Sequence, residues 1–342
     1  MVSRLRSHVR AITGLAILAA ILAAFWLAPA AGAFGSRDHG SAHSGVRGGP
    51  SHFRPPHKGP APPGPGHGGP PHPGPPHPGP PHPGPQFSYL ALGDSLAFGY
   101  SEAKFDSLYP NENPADYNTG YVDDFAHVLK LGDPSLQVIN DGCPGETTES
   151  FIHGPCEYQL AFPLHHPYVG GVDSSQLSDA LAYLQANPGR VNPITIDIGA
   201  NDALGVIEGT CKLEATCIGE HAPALFAHIA ANLGLILGDL RGAAPHAKII
   251  VLGLYNPFGS TITGATQLTA QLNEVMEGVA STVGARFANP LPVFNPPGAL
   301  EQPTICLLTN MCTPLVDIHP TDLGYAALAG LILKQYLFGS PF

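Results

Sequence analysis

Basic residues are scarce in most of this chain. The last 256 of its 342 residues hold 8 Lys and Arg against 25 Asp and Glu, a formal charge of −17, while the first 86 hold 7 against 1. Nucleic-acid binding needs clustered cationic side chains, and the scattered few in residues 87–342 exclude it there. Cysteine is also sparse. There are six, all beyond residue 142, and none stands in a Cys-x2-Cys spacing, which removes the common zinc-ribbon and zinc-finger arrangements. Two segments lack whole classes of residue. Residues 11–33 carry no charge, and in residues 34–86 Val46 is the only aliphatic side chain larger than Ala.

These absences divide the chain into three. The uncharged run follows Arg4, Arg6 and Arg10, is rich in Ala, Leu and Ile, and ends Ala31-Gly32-Ala33. That order, basic then apolar then small, reads as a secretory signal peptide over residues 1–33. Twenty-three uncharged residues would also span a bilayer, so an uncleaved anchor is the alternative. On either reading the remainder is secreted or extracytoplasmic, and an anchor would associate it with the cell envelope. In residues 34–86, Pro and Gly fill 30 of 53 positions and Pro-Pro-His-Pro-Gly repeats from Pro70 to Gly84. Such a segment cannot bury enough apolar surface to offset its ordering entropy. It reads as a disordered, semi-stiff polyproline spacer. Its eight histidines, His72, His77 and His82 among them, leave two readings open, a plain solvated spacer or weak capture of transition metals.

Residues 87–342 suit one large domain. Apolar runs of strand length recur at 87–92, 135–140, 193–198, 248–254 and 286–288. Between them helical periodicity runs through Tyr121–Leu131, Gln176–Gln185, Ala222–Arg241, Ala265–Val283 and Asp322–Phe338, the last with Thr321 as N-cap. Alternating strands and helices predict parallel pairing through right-handed crossovers. The expected architecture is α/β, a three-layer α/β/α sandwich on a mainly parallel five-stranded sheet. Residues 143–175 and 203–220 read as long loops.

Four segments carry chemistry. Gly93-Asp94-Ser95-Leu96 closes the first apolar run, which puts a serine hydroxyl at the carboxyl end of a sheet, where sites of open α/β folds lie. Asn140-Asp141-Gly142-Cys143-Pro144-Gly145-Glu146-Thr147 follows the second run, Gly199-Ala200-Asn201-Asp202 the third, and Asp317-Ile318-His319-Pro320 precedes the last helix. Among the eight histidines of residues 87–342, only His319 sits in an Asp-x-His-Pro turn before a helix. In this order the four segments resemble the sequence blocks of the SGNH hydrolases, the GDSL esterase/lipase family, over about residues 87–338.

The resemblance implies a flavodoxin-like hydrolase fold and an esterase or lipase that cleaves carboxylic esters through an acyl-enzyme, with no metal or organic cofactor. It implies Ser95 as nucleophile and His319 as base. The oxyanion donors would be the Ser95 and Gly145 backbone N–H groups and the Asn201 amide, with Gly142 a turn residue. Asp94 and Asp202 read as turn-holding carboxylates, and Asp197 as a buried acid of unknown partner. One position departs from the family pattern. The family places its acid three residues before the histidine, where this chain has Val316, while Asp317 lies two before. Either Asp317 or a backbone carbonyl near Val316 would orient His319. Phe98, Tyr100, Phe162, Tyr255 and Phe258 are candidates for an acyl pocket or for ordinary packing. The partner is then an acyl ester, a lipid or small ester first and an acetylated glycan second. A non-catalytic surface binding protein is the reading from outside the enzyme class. The six cysteines fall by spacing into the local pairs Cys143/Cys156, Cys211/Cys217 and Cys306/Cys312, out of 15 possible pairings, and an exported chain makes disulfides the default.

Overall fold

A computed structural model of the chain describes residues 86–159, 162–171 and 173–339. The leader at 1–33 and the spacer up to Pro85 lie outside the described residues. Five strands, β1 (Ser88–Gly93), β2 (Gln137–Asn140), β3 (Val191–Asp197), β4 (Ile249–Leu252) and β5 (Arg286–Ala288), form one sheet in the order β2-β1-β3-β4-β5. Every neighbouring pair is parallel, as the alternation of strand and helix predicts.

The pleat sorts the strand residues onto two faces. Leu90 and Leu92 of β1, Ile194 and Ile196 of β3, and Ile249 and Val251 of β4 face one way. There they meet helices α2 (Gln176–Ala186), α3 (Ala215–Ala243) and α4 (Ala265–Thr282). Tyr89, Ala91, Ile250 and Leu252 face the other way, onto α1 (Tyr121–Gly132) and α5 (Asp322–Phe338). With both faces covered, Tyr89–Leu92 of β1 and Ile249–Leu252 of β4 read as unbroken apolar runs instead of alternating ones.

Strand ends move by one or two residues from expectation, and two differences bear on the site. β3 starts two residues earlier, at Val191, and carries Pro193 inside a central strand. The register of β1 against β3 shifts between Ser88 and Leu90, which is the kind of irregularity that admits a proline without a ladder hydrogen bond. The loop expected over 203–220 is largely helical. Ala200–Leu204 continues into a wide turn over Gly205–Thr210, and α3 begins at Ala215, seven residues before the expected start. Pro223 lies inside α3 and signals a boundary in the sequence, whereas the helix is capped upstream by the Glu214 carboxylate on the Thr216 and Cys217 N–H groups. Among its described residues, the expected loop at 143–175 contains one short helix, Thr148–His153.

All six cysteines lie as bonded pairs with the expected local connectivity. Each bridge closes a loop near one of the chemical segments: Cys143–Cys156 beside Gly145, Cys211–Cys217 after Asn201, and Cys306–Cys312 before His319.

Candidate active site

The order β2-β1-β3 reverses chain direction across the sheet between β1 and β3, and the residues that follow those two strands converge there. This is the switch point at which open α/β sheets leave a crevice beyond the strand ends. Ser95 opens a short helix, Ser95–Phe98, directly after β1. The Asp94 side chain caps that helix by accepting from the Leu96 N–H at 3.0 Å. Beneath it, Asp197 at the end of β3 is fully buried, and one of its oxygens accepts from the Asp94 and Ala97 N–H groups at 3.2 and 3.3 Å. Its other oxygen accepts from the Tyr121 hydroxyl of α1. Tyr121 and the nucleophile turn are thus the partners that the sequence does not reveal for Asp197. Burial, with Asp94 alongside, pushes the Asp197 carboxyl well above its ordinary range. Gly93 has φ +136°, and a Cβ there would lie 2.2 Å from the Asp197 carbonyl oxygen, so the tight turn requires glycine.

His319 arrives from the far end of the chain. Its Nε2 lies 3.0 Å from Ser95 Oγ and its Nδ1 lies 2.6 Å from Asp317 Oδ1. The same Asp317 oxygen accepts from the His319 backbone N–H at 3.0 Å, and Asp317 Oδ2 accepts from the Glu102 N–H at 3.0 Å. Burial alone would raise the Asp317 carboxyl, but the bonds from His319 and Glu102 outweigh it and hold the group below its ordinary value. Between the two candidates for orienting the ring, the carboxylate and not a backbone carbonyl therefore faces Nδ1. The displaced spacing is absorbed at Val316, whose φ of +54° is an uncommon and strained conformation for a β-branched residue. The rest of the turn is held by neighbours. The Tyr255 hydroxyl donates to the Ile318 carbonyl at 2.8 Å, the Asn310 N–H donates to the His319 carbonyl at 2.9 Å, and the Tyr100 ring meets the imidazole edge-on at 4.7 Å. Thr321 caps α5 through a bond from the Gly324 N–H.

The third part is a set of donors. Asn201 Nδ2 bonds the Glu146 carbonyl at 2.9 Å and lies 3.4 Å from Asp94 Oδ2, which stations the amide between the Ser95 turn and the Gly145 turn. Gly145 has φ +82°, and a Cβ on it would lie 2.3 Å from the Tyr158 ring. Gly142 does what a turn residue does. Its N–H donates to Asn140 Oδ1 at 3.0 Å, and it packs so tightly on Ala97 and Phe98 that a Cβ would not fit. Asp202 accepts from the Thr148 N–H at 2.9 Å and from its hydroxyl at 2.6 Å, tying the third segment to the second.

One residue with no motif around it joins these parts. Gln176 at the start of α2 accepts from the Gly93 N–H at 2.6 Å, and its Nε2, with two hydrogens to give, lies 3.0 Å from the Gly93 carbonyl, a Glu146 oxygen and the Tyr168 hydroxyl alike. It therefore fixes the residue two before Ser95 against the residue after Gly145. Burial pushes the Glu146 carboxyl up to about 7 in spite of the bonds from Ser150 and Gln176.

A hydroxyl, an imidazole and a carboxylate in hydrogen-bonded sequence can take a proton from serine, and the Asn201 amide stands between the Ser95 and Gly145 turns. The family model of the GDSL-like lipase/acylhydrolases matches residues 91–327. The chain belongs to this family. It is a serine carboxylic-ester hydrolase, as the resemblance implies, and not a non-catalytic binding protein. No curated protein matches the chain. Among solved structures it is similar to an acetylxylan esterase from Geobacillus stearothermophilus, at 17% identity over 74% of this chain and 94% of that one, with a TM-score of 0.48. It is also similar to a lipase from a goat rumen metagenome, at 19% identity over 74% and 98% of the two chains, again with a TM-score of 0.48.

The aromatic candidates for an acyl pocket separate in the fold. Phe98 is fully buried and packs on Tyr117, Phe162 and His165, so it is core. Tyr255 stacks on Phe294 and holds the histidine turn, and Phe258 packs with the Cys211 cluster. Tyr100 contacts the imidazole itself.

In this GDSL hydrolase, Asn201→Ala should lower kcat by about 10²–10³ with a smaller change in KM, because an oxyanion donor acts on charge that develops in the transition state. Steady-state kinetics on a nitrophenyl ester checks it. A change in KM alone would make Asn201 a binding residue.

Proposed function

We propose that the enzyme cleaves its ester by attack of Ser95 Oγ on the acyl carbon. His319 takes the serine proton at Nε2, Asp317 steadies the resulting imidazolium, and the Ser95 and Gly145 N–H groups with the Asn201 amide receive the oxyanion. The acyl-enzyme is then released by water that His319 activates. The observation that carries this reading is the unbroken path from Asp317 through His319 to Ser95, with bonds of 2.6 and 3.0 Å.

For the substrate, we propose an acyl ester of a lipid or small alcohol. Leu315 and Val316 directly precede Asp317 in the chain and are exposed aliphatic side chains, at 43% and 47%, which supports a hydrocarbon tail over a polysaccharide. The leader sequence and the three cysteine pairs support export of the mature domain behind its proline-rich spacer. The test is a panel of nitrophenyl esters of increasing acyl length beside an acetylated polysaccharide. Hydrolysis of the nitrophenyl series, with kcat/KM rising beyond acetate, is the expected result. Acetate release from the polysaccharide with no such rise would transfer the reading to carbohydrate deacetylation.

A further inference from the structure

Behind the oxyanion turn lies a second group of ionisable side chains that the ester chemistry does not use. Asp141 follows β2, His166 lies on the 162–171 segment, and Asp179 stands in the first turn of α2. His166 Nδ1 is 2.6 Å from Asp141 Oδ1 and 3.6 Å from Asp179 Oδ2. Donor atoms of the three residues all lie within 4.8 Å of one another. The Asp141 and Asp179 side chains are 0% and 1% exposed, and the imidazole is 30% exposed.

Two carboxylates buried beside a single imidazole are poorly compensated. Asp141 Oδ2 and Asp179 Oδ2 accept no hydrogen bond among the described residues, and the Asp179 oxygen points at the imidazole. Leaving such an oxygen unbonded in the interior is costly, and a bound ion is one of the standard reasons for finding one. Asp179 Oδ1, in contrast, is used, accepting from the Val169 N–H at 2.6 Å.

We propose that Asp141, His166 and Asp179 form a binding site for a divalent cation of the Mn²⁺ or Zn²⁺ class. One nitrogen and two carboxylate oxygens are a donor set such ions accept. Adjacent donors around an octahedral ion with bonds of about 2.1 Å stand about 3 Å apart, so the two His166 distances of 2.6 and 3.6 Å need shifts of about half an ångström, and the two carboxylates, within 4.8 Å of each other, must close to the same spacing. Capture replaces the direct Asp141–His166 contact, the Nδ1 proton leaves to solvent, and the exposed edge of His166 is the entry path. Water completes the coordination. The ion would staple the 162–171 segment to Asp141, the residue that begins the turn leading to Gly145. Its role is structural, and no part of ester cleavage passes through it.

The test uses the full chain with Mn²⁺ as the probe, because Mn²⁺ stands low in the affinity order for the imidazoles of the spacer. Loss of the aqueous Mn²⁺ signal in electron paramagnetic resonance should report one saturable site per chain. In thermal melts, Mn²⁺ at a hundredfold excess over its dissociation constant should raise Tm by about 5–10 °C. Asp179→Asn, which keeps the Oδ1 acceptor for Val169, and His166→Gln should each weaken the site at least about tenfold while leaving the melting transition without Mn²⁺ cooperative. Equal Mn²⁺ binding by the wild type and both variants would assign the ion to the spacer and overturn the proposal. Absence of saturable binding by the wild type would also overturn it, leaving the triad a closed ion pair.

Discussion

Ser95→Ala should abolish ester hydrolysis, lowering kcat on the order of 10⁶-fold, while the protein folds as before. The two halves of this expectation have separate causes. The chemical loss is complete because, among the described residues, Ser95 carries the one hydroxyl bonded to His319 Nε2. The fold is spared because Ser95 Oγ contributes little to the turn: its bond to Asp94 Oδ1 is long, at 3.4 Å, while the cap is made by Asp94 on Leu96. Alanine also suits the first position of a helix. Turnover and a thermal melt on the same sample check both halves. Retained turnover by a normally folded variant would remove Ser95 from the nucleophile's role.

Asp317→Asn should cut kcat by up to about 10⁴-fold. The amide keeps the shape but changes what faces His319 Nδ1. An oxygen can still accept from Nδ1, but the negative charge that steadies the imidazolium is gone. The competing bonds also reorganise, since Asp317 accepts from the His319 N–H and the Glu102 N–H together. If the amide nitrogen turns toward the ring, Nδ1 must accept and the proton moves to Nε2, which then cannot take the proton from Ser95. A loss of tenfold or less would mean that the enzyme runs on a Ser95–His319 dyad and that Asp317 serves the turn. His319→Ala is severe in either case and does not distinguish them.

These two substitutions also mark how far the sequence reaches. The parallel sheet, its covered faces and the five long helices follow from apolar runs and periodicity, because burial on both faces leaves a pattern in the chain. The places of Ser95, Gly145, Asn201 and His319 in the fold are legible because each lies in a short segment at a strand end or a helix start, with few ways to fold. Asp317 is half legible. Its residue type is right and its spacing is not, and only the left-handed backbone of Val316 shows how the carboxylate reaches the ring.

What escapes the sequence is contact across long separations. Gln176 lies 83 residues from Gly93 and 30 from Glu146, and a helix-start glutamine carries no local mark of that role. Glu102 serves Asp317 with a backbone N–H, which any residue could supply, so composition cannot reveal it. Phe98 looks like pocket lining because it is aromatic and adjacent to Ser95, yet the Ser95–Phe98 helix turns it into the core. At α3 the error is local instead. Pro223 stops a helix in most sequences, and here the Glu214 cap lies a full two turns upstream of it.

The most direct measurement of the central claim is covalent labelling of the wild-type enzyme with a fluorophosphonate, followed by peptide mapping in a mass spectrometer. A serine activated by an imidazole displaces fluoride and keeps the phosphonyl group, whereas ordinary surface hydroxyls do not react. One adduct per chain is expected, located on Ser95, with ester hydrolysis lost in proportion to labelling. An unlabelled Ser95 in active enzyme, or an adduct at another serine, would contradict it.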